Sequence, residues 1–479
     1  MVARGADAAG ASARLAVGIR VVSGPDPNDP GLLGPAEVSL LVDLYELTMS
    51  ASYLRAGLNE PAVFELFARR LPPAREWLLA AGLGPTLALI RELRFAEREL
   101  EYLRSLDLFA EEFLDYLAGF GFSGDVDAIP EGTACFANEP ILRVTAPLIE
   151  AQVLETLLLN QINFQTMIAT KAARIVLAAG GGQPGAGERV IDFSPRRDHG
   201  TDAAMKVARS AAVAGCGGTS NVAAAMRYGL QPVGTMAHSY VLSFDTEAEA
   251  FRCFIETFPE RTVMLVDTYD TLEGVRNAVA ASREAGVPLA GVRLDSGNLL
   301  DHSRAARKLL DEAGLSETQI AASGDLEEAR IAGLVDAGAP IDLWGVGTDL
   351  GTSRDSPVVN GIYKLVAHRR GGEWRGVWKR SADKATVPGA KQVFRRRQDG
   401  AMSSDVIAAA DEDLEGEPLL VPFMRDGEVL RRDSLDAIRE RATTQLAMLP
   451  ERLRPPVADA AEPYPVSYSE RLRAAIGAP

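Results

Sequence analysis

The chain has 479 residues, 47% hydrophobic and 24% charged, enough to bury at least one large core and to build two domains. Its net charge of −16 argues against nucleic acid or anionic membrane as the main partner, since both require a broad basic surface. Three cysteines, Cys135, Cys216 and Cys253, suit neither a disulfide framework nor a zinc site, so a reducing cytoplasm is the expected setting.

The first thirty or so of residues 1–34 are rich in Ala and Gly, carry Arg4, Arg14 and Arg20, and run into the turn-rich SGPDPNDPG. They lack the apolar core of a signal peptide and read as a disordered extension, with an organellar transit role as the alternative. From Pro35 the spacing becomes helical: EVSLLVDLYELTMSASYLRAGL stops at Gly57 and places Asp43 and Tyr45 on one side. On residue chemistry alone that pair is a solvated acid and an edge aromatic. PAVFELFARRLP alternates like a strand, Thr86 to Leu117 reads as two amphipathic helices, and FSGDVDAIPEGTACFANEPILRVTAP reads as short strands. The most apolar stretch, Ile141 to Gly182, is broken by Glu150, Glu155, Asn160, Gln161 and Lys171. It never reaches the roughly 18 continuous apolar residues of a membrane span and predicts a buried or interfacial helix.

From Gly187 strand and helix signals alternate, as in parallel βαβ units. RVIDF and SPRRDHG precede the helix TDAAMKVARSAAVAG. In GCGGTSNVAAAMRYGLQPVGTMAHSYVLSF, Ser220 or Asn221 can cap a short helix, Val222 to Tyr228, that Gly229 ends; a second turn at Pro232 to Gly234 leads to His238. TVMLVDTYD, PLAGVRLDSGN, QIAASGD and DLWGVGTDLGTS are the later strand ends. In parallel α/β barrels such ends converge on one rim. Here they hold Arg196, His238, Asp267, Arg293, Asp295, Asp325, Gly345 and Gly347. Arginines, aspartates, a histidine and glycine loops on one rim describe a site for a magnesium-bound polyphosphate. After Lys364, EWRGVWKRSADKATVPGAKQVFRRR reads as a twisted hairpin whose Lys379, Lys384 and Lys391 form a solvated charged edge. DSLDAIRERATTQLAML predicts a helix, and Pro450 to Pro479 a surface tail.

VDLYELTM, AVFELFARRLP, DFSPRRDHGTDAA, GGTSNVAAAMRYGLQPVGTMAHS, LVDTYDT, GVRLDSGNL, GVGTDLGTS and KRSADKATVPGAKQVF together resemble, in order, the motifs of nicotinate phosphoribosyltransferase, over about Leu40 to Arg395. The resemblance implies an α/β fold: an irregular, incomplete TIM-like barrel over 146–364, beside an outer α+β domain made of 35–145 and 365–479. It implies a cytoplasmic homodimer with shared sites, joining nicotinate to 5-phosphoribosyl 1-diphosphate, with Mg²⁺ as cofactor and ATP as co-substrate, in NAD salvage. By the same resemblance His238 is the phosphorylated histidine, and Asp267, Asp295 and Asp325 surround the ribose and magnesium, with Asp267 and Asp295 as metal ligands. Arg293 and Arg196 flank the pyridine ring and phosphates. Gly345, Gly347 and Thr348 hold the 5-phosphate, and Thr219 and Ser220 lie at the substrate. Asp43 and Tyr45 reach a neighbouring subunit's site. Ser220 stands where the nicotinamide-using relative has aspartate, which favours the acid over the amide because a hydroxyl can donate to a carboxylate. Val42 and SPRRDHG depart from the family pattern, leaving open whether Arg196 or Arg197 faces the substrate and what His199 does. The alternatives are a nicotinamide or quinolinate phosphoribosyltransferase, or a barrel that binds without turnover.

Overall fold

The computed structural model describes residues 31, 33–180, 185–378, 386–454 and 462–477. The expected extension, apart from residues 31, 33 and 34, lies outside them, as do Lys379 and Lys384. The βαβ alternation produces a six-stranded sheet in the order Gly218–Thr219, Val190–Asp192, Leu343–Val346, Gln319–Ala322, Gly291–Leu294, Val263–Leu265. Every neighbouring pair is parallel. The fold is therefore mixed α/β around a parallel sheet. The sheet is open, its edge strands Gly218–Thr219 and Val263–Leu265 being unpaired with each other among the described residues. One irregular segment spans that opening at the carboxyl ends: Pro232 bridges Thr219 at one edge, and His238 reaches Thr268, just past the other.

The apolar stretch expected to be buried becomes the strand Pro140–Pro147, the short helix Leu148–Val153 and the 26-residue helix Glu155–Gly180. Twenty residues of the long helix are buried, as expected of a helix surrounded by protein. It packs against the helices Thr201–Val213, Glu328–Asp336 and Thr348–Thr352. Its Thr166 and Thr170 hydroxyls accept from the amides of Ala81 and Leu79. No helix among the described residues is long and apolar enough to cross a membrane.

A second, seven-stranded antiparallel sheet is built from both ends of the chain: Pro61–Ala68 lies between Gly361–Arg370 and Pro140–Pro147, and Asp125–Ala128 pairs with Val421–Arg425. The expected domain edges at 145 and 365 both fall inside its strands.

Several local expectations are corrected by longer-range pairing. The first helix is split into a 3-10 turn, Pro35–Leu40, and Leu44–Arg55, because Asp43 turns extended and its carboxylate accepts from Thr156 Oγ1 at 2.9 Å. Three helices, Leu83–Glu92, Glu97–Ser105 and Glu111–Ala118, stand where two are expected; Leu93 goes extended and buries its side chain. The expected hairpin does not form. Glu373–Gly376 pairs with Gly361–Arg370, whereas Lys391–Gln398 joins Ala401–Ala409 in another sheet. Lys391 is buried rather than solvated, since the buried Glu65 carboxylate takes its ammonium at 2.6 Å and its amide at 2.7 Å. The tail also folds: Val466–Tyr468 adds in parallel to Ala401–Ala409, and buried Tyr464 stacks on Phe136 and donates to Asp405 at 2.9 Å.

Candidate active site

Arg293 lies in the strand Gly291–Leu294 and Asp295 just past its end, two residues on, the spacing that sends side chains to one face of extended chain. Arg293 donates from Nη1 to Thr235 Oγ1 at 2.6 Å and from Nη2 to the Met236 carbonyl at 3.0 Å. Asp295 Oδ2 lies 3.8 Å from His238 Nε2, and Asp295 Oδ1 accepts from Ser323 Oγ at 2.5 Å. The other ring nitrogen, His238 Nδ1, is 3.1 Å from Thr268 Oγ1. Asp267 Oδ2 accepts from the Asp295 amide at 2.9 Å and from Ser296 Oγ at 2.7 Å. Four of the expected residues thus come together: Asp295 is bonded to Asp267 and lies 3.8 Å from His238, and Arg293 holds the segment that leads to His238. Burial pushes the Arg293 guanidinium down, Asp295 and Asp267 oppose that, and Arg196 adds to it. Arg196 is thus a loop arginine whose charge acts on Arg293.

Other expected residues serve the frame. Thr219 is buried, its hydroxyl donating to Asp192 Oδ2 at 2.7 Å and accepting from the Asn221 amide at 3.0 Å, so it supports the loop rather than facing a ligand. Asn221 is the cap of Val222–Tyr228, through its bond from the Ala224 amide, which leaves Ser220 half-exposed with no capping duty. Gly345 sits inside the strand Leu343–Val346, not in the loop; a Cβ there would stand 2.5 Å from the Phe193 ring. Gly347 and Thr348 are the residues beyond that strand. Asp325 is exposed at φ +46°, left-handed backbone that aspartate tolerates better than most side chains. Sequence reasoning missed Asp192, Thr235 and Thr268. Their signal was present, because each lies at or beside a strand end or in the GTMAHS string.

Whether a divalent cation suits the rim is tested by Asp267 Oδ1, which is buried with no hydrogen-bond partner among the described residues. An uncommitted carboxylate oxygen beside Asp295 fits a hard, oxygen-seeking ion. A tighter carboxylate group, Glu328, Asp349 and Asp355, lies elsewhere and is already filled by the Lys171 ammonium.

Comparison with known proteins bears on what this rim is for. The model of the nicotinate phosphoribosyltransferase (NAPRTase) N-terminal domain matches residues 40–163, and that of the nicotinate phosphoribosyltransferase (NAPRTase) family matches 189–325. A nicotinate phosphoribosyltransferase of Mycobacterium tuberculosis is 46% identical over 438 residues, 91% of this chain and 92% of that protein. The chain belongs to the nicotinate phosphoribosyltransferase family. The nicotinate phosphoribosyltransferase of Bacillus subtilis is 42% identical, over 81% of this chain and 79% of its own. Among solved structures, human nicotinic acid phosphoribosyltransferase superposes with a TM-score of 0.78 at 28% identity, covering 90% of this chain and 98% of that one. A nicotinate-nucleotide pyrophosphorylase from Pyrococcus furiosus superposes with a TM-score of 0.69 at 26% identity, covering 87% and 97%.

In this member of the nicotinate phosphoribosyltransferase family, Asp43 and Tyr45 stand apart from the rim, with no hydrogen bond or ion pair to it among the described residues. Both are exposed on Leu44–Arg55 and its cap, above a buried acid pair, Glu46 and Glu155. Burial raises Glu46 to about 8; hydrogen bonds from Thr156 hold it back, and Glu155 and Asp43 push it further up. Glu46 keeps its proton in the fold through pH values where the unfolded chain, titrating near 4.5, has lost it. Its contribution to stability is therefore complete in acid and fades as pH climbs from about 4.5 to about 8. Glu46→Gln is expected to flatten that decline. Denaturant melts at pH 5 and pH 8 check this, and an equally steep decline in the variant contradicts the assignment.

Proposed function

We propose that this protein joins nicotinate to 5-phosphoribosyl 1-diphosphate, releasing diphosphate and forming nicotinate mononucleotide in NAD salvage, with ATP hydrolysis coupled through phosphorylation of His238. The observation that carries this reading is the convergence of Arg293, Asp295, Asp267 and His238 at the strand ends of a chain with this family membership. We read the open sheet and its spanning segment as an incomplete barrel lying between the strands Pro140–Pro147 and Gly361–Arg370, which belong with the chain before and after them to the outer unit. Asp43 and Tyr45 would complete the site of a second subunit in a cytoplasmic homodimer.

Ribosyl transfer develops positive charge on the sugar while diphosphate departs. Asp267, Asp295 and Asp325 face the cationic sugar, and Gly347 with Thr348 receives the 5-phosphate. Arg293 and Arg196 pair with the anionic groups of the pyridine acid and phosphates. Asp267 and Asp295 would hold Mg²⁺, which supplies charge neutralisation to the leaving diphosphate. An imidazole nitrogen of His238 attacks the terminal phosphorus of ATP, ADP leaves, and water later cleaves the N–P bond to release phosphate.

A coupled assay with nicotinate, nicotinamide and quinolinate, each with and without ATP, tests the whole reading. Nicotinate preference with ATP stimulation is expected. A preference for quinolinate without ATP would instead favour the second reading, which the Pyrococcus furiosus likeness raises. Ser220→Asp should lower kcat/KM for nicotinate by about tenfold or more and narrow the gap to nicotinamide, because a carboxylate facing a carboxylate is repelled. Competition between the two pyridines measures it, and an unchanged ratio contradicts the role given to Ser220.

A further inference from the structure

The segment that spans the open side of the sheet is gripped twice by one strand end. Arg293 takes Thr235 Oγ1 at 2.6 Å and the Met236 carbonyl at 3.0 Å, while Asp295, two residues on, faces His238 at 3.8 Å. A third nitrogen of Arg293, Nε, is buried with no partner among the described residues. One guanidinium therefore serves two tasks, since the group offered to a bound anion also fastens the loop that carries the histidine. Met236 contributes a backbone carbonyl, available from any residue; Thr235 contributes a hydroxyl that a substitution can remove.

We propose that Thr235 is a positioning residue that couples the pyridine-acid site to His238: by accepting from Arg293 it fixes the guanidinium and ties it to the histidine's loop, so that phosphorylation of His238 changes the affinity for the acid. This rests on the ATP-coupled reading given above. Without the hydroxyl, Nη1 loses its acceptor in a half-buried site, a defect that typically weakens binding by about tenfold. The guanidinium is then tied to the loop by the Met236 carbonyl alone, so it follows its ligand with less pull on the loop.

The test measures KM for nicotinate with and without ATP, and ATP consumed per mononucleotide formed, in the unaltered protein, Thr235→Val and Thr235→Ser. In the unaltered protein ATP should lower KM. In Thr235→Val, KM should rise about tenfold and cease to respond to ATP, while ATP consumed per product rises at least about fivefold. Thr235→Ser, which restores an acceptor, should recover both the response and the ratio. An ATP response that persists in Thr235→Val overturns the proposal and leaves the ATP-coupled reading standing. No ATP response in the unaltered protein overturns both. If Thr235→Val does not fold, Thr235→Ser decides: an uncoupled serine variant overturns the role of the hydroxyl, and a coupled one supports it.

Discussion

His238→Ala is expected to abolish ATP hydrolysis and the ATP stimulation of synthesis, while slow formation of mononucleotide persists. The imidazole is oriented from both sides, Nδ1 by Thr268 and Nε2 by Asp295, which suits a nucleophile that must present one nitrogen in a fixed direction. Alanine offers no atom for the phosphoryl group, so ADP release should fall by more than about 10³-fold, as when a covalent nucleophile is deleted elsewhere. On the proposed reading the ribosyl transfer draws on Arg293, Asp267 and Asp295, and neither the Arg293–Thr235 bond nor the Asp295–Asp267 bond passes through the imidazole. Labelling with ATP carrying a radioactive terminal phosphate, followed by alkaline gel analysis, reads the covalent species directly. Unchanged ATPase activity in the variant would refute the role.

The largest effect on folding is expected from Lys171→Met. Lys171 is buried in the long central helix, and its ammonium holds Glu328 at 2.5 Å, Asp355 at 3.0 Å and also Asp349. Arg174 adds to Glu328 at 3.1 Å and Arg75 to Asp355 at 2.7 Å, so three cations balance three carboxylates. Burial alone would lower the lysine, but Glu328 and Asp349 outweigh it and hold it above its ordinary value. Removing one partner from a buried ion group leaves uncompensated charge and costs about 3–5 kcal/mol. Denaturant midpoints should therefore drop sharply in Lys171→Met and recover in part when Asp349→Asn is added, since that removes one orphaned charge. A double variant no more stable than the single one would contradict this. Acid should loosen the same group. Burial pushes Asp355 up, but Arg75 and Lys171 pull it well below the usual carboxylate range, so its stabilisation is present above pH values near 4 and lost as pH falls below them. Because Asp349 follows Thr348 and Glu328 lies three residues past Asp325, the damage should also reach the rim as a higher KM for the phosphorylated sugar.

The parts of this architecture that were legible in the sequence are those written in local chemistry. The helix Val222–Tyr228, with its Asn221 cap and its Gly229 stop at φ +67°, follows from neighbouring residues, as do the strand-then-polar returns that place Asp267, Arg293 and Asp295 at one rim. What escaped was decided by partners far along the chain. Lys391 looks solvated beside Arg395 and Arg396 until Glu65, 326 residues earlier, claims it. Thr219 looks ligand-facing until Asp192 takes its hydroxyl, and the final segment looks like a tail until its strand finds Ala401–Ala409. Gly345 carries no local mark that separates a loop glycine from one that makes room for Phe193.

The strip from Pro232 to His238 is stitched to Thr219 at its start and to Thr268 at its end. If a bulky diphosphate enters here as proposed, widening of the mouth would drag the imidazole along, and recoil of the imidazole would reshape the mouth. On the proposed ATP-coupled reading, admission and energy transduction would share one strap, a mechanical means of making the spending of a nucleotide conditional on what has already entered.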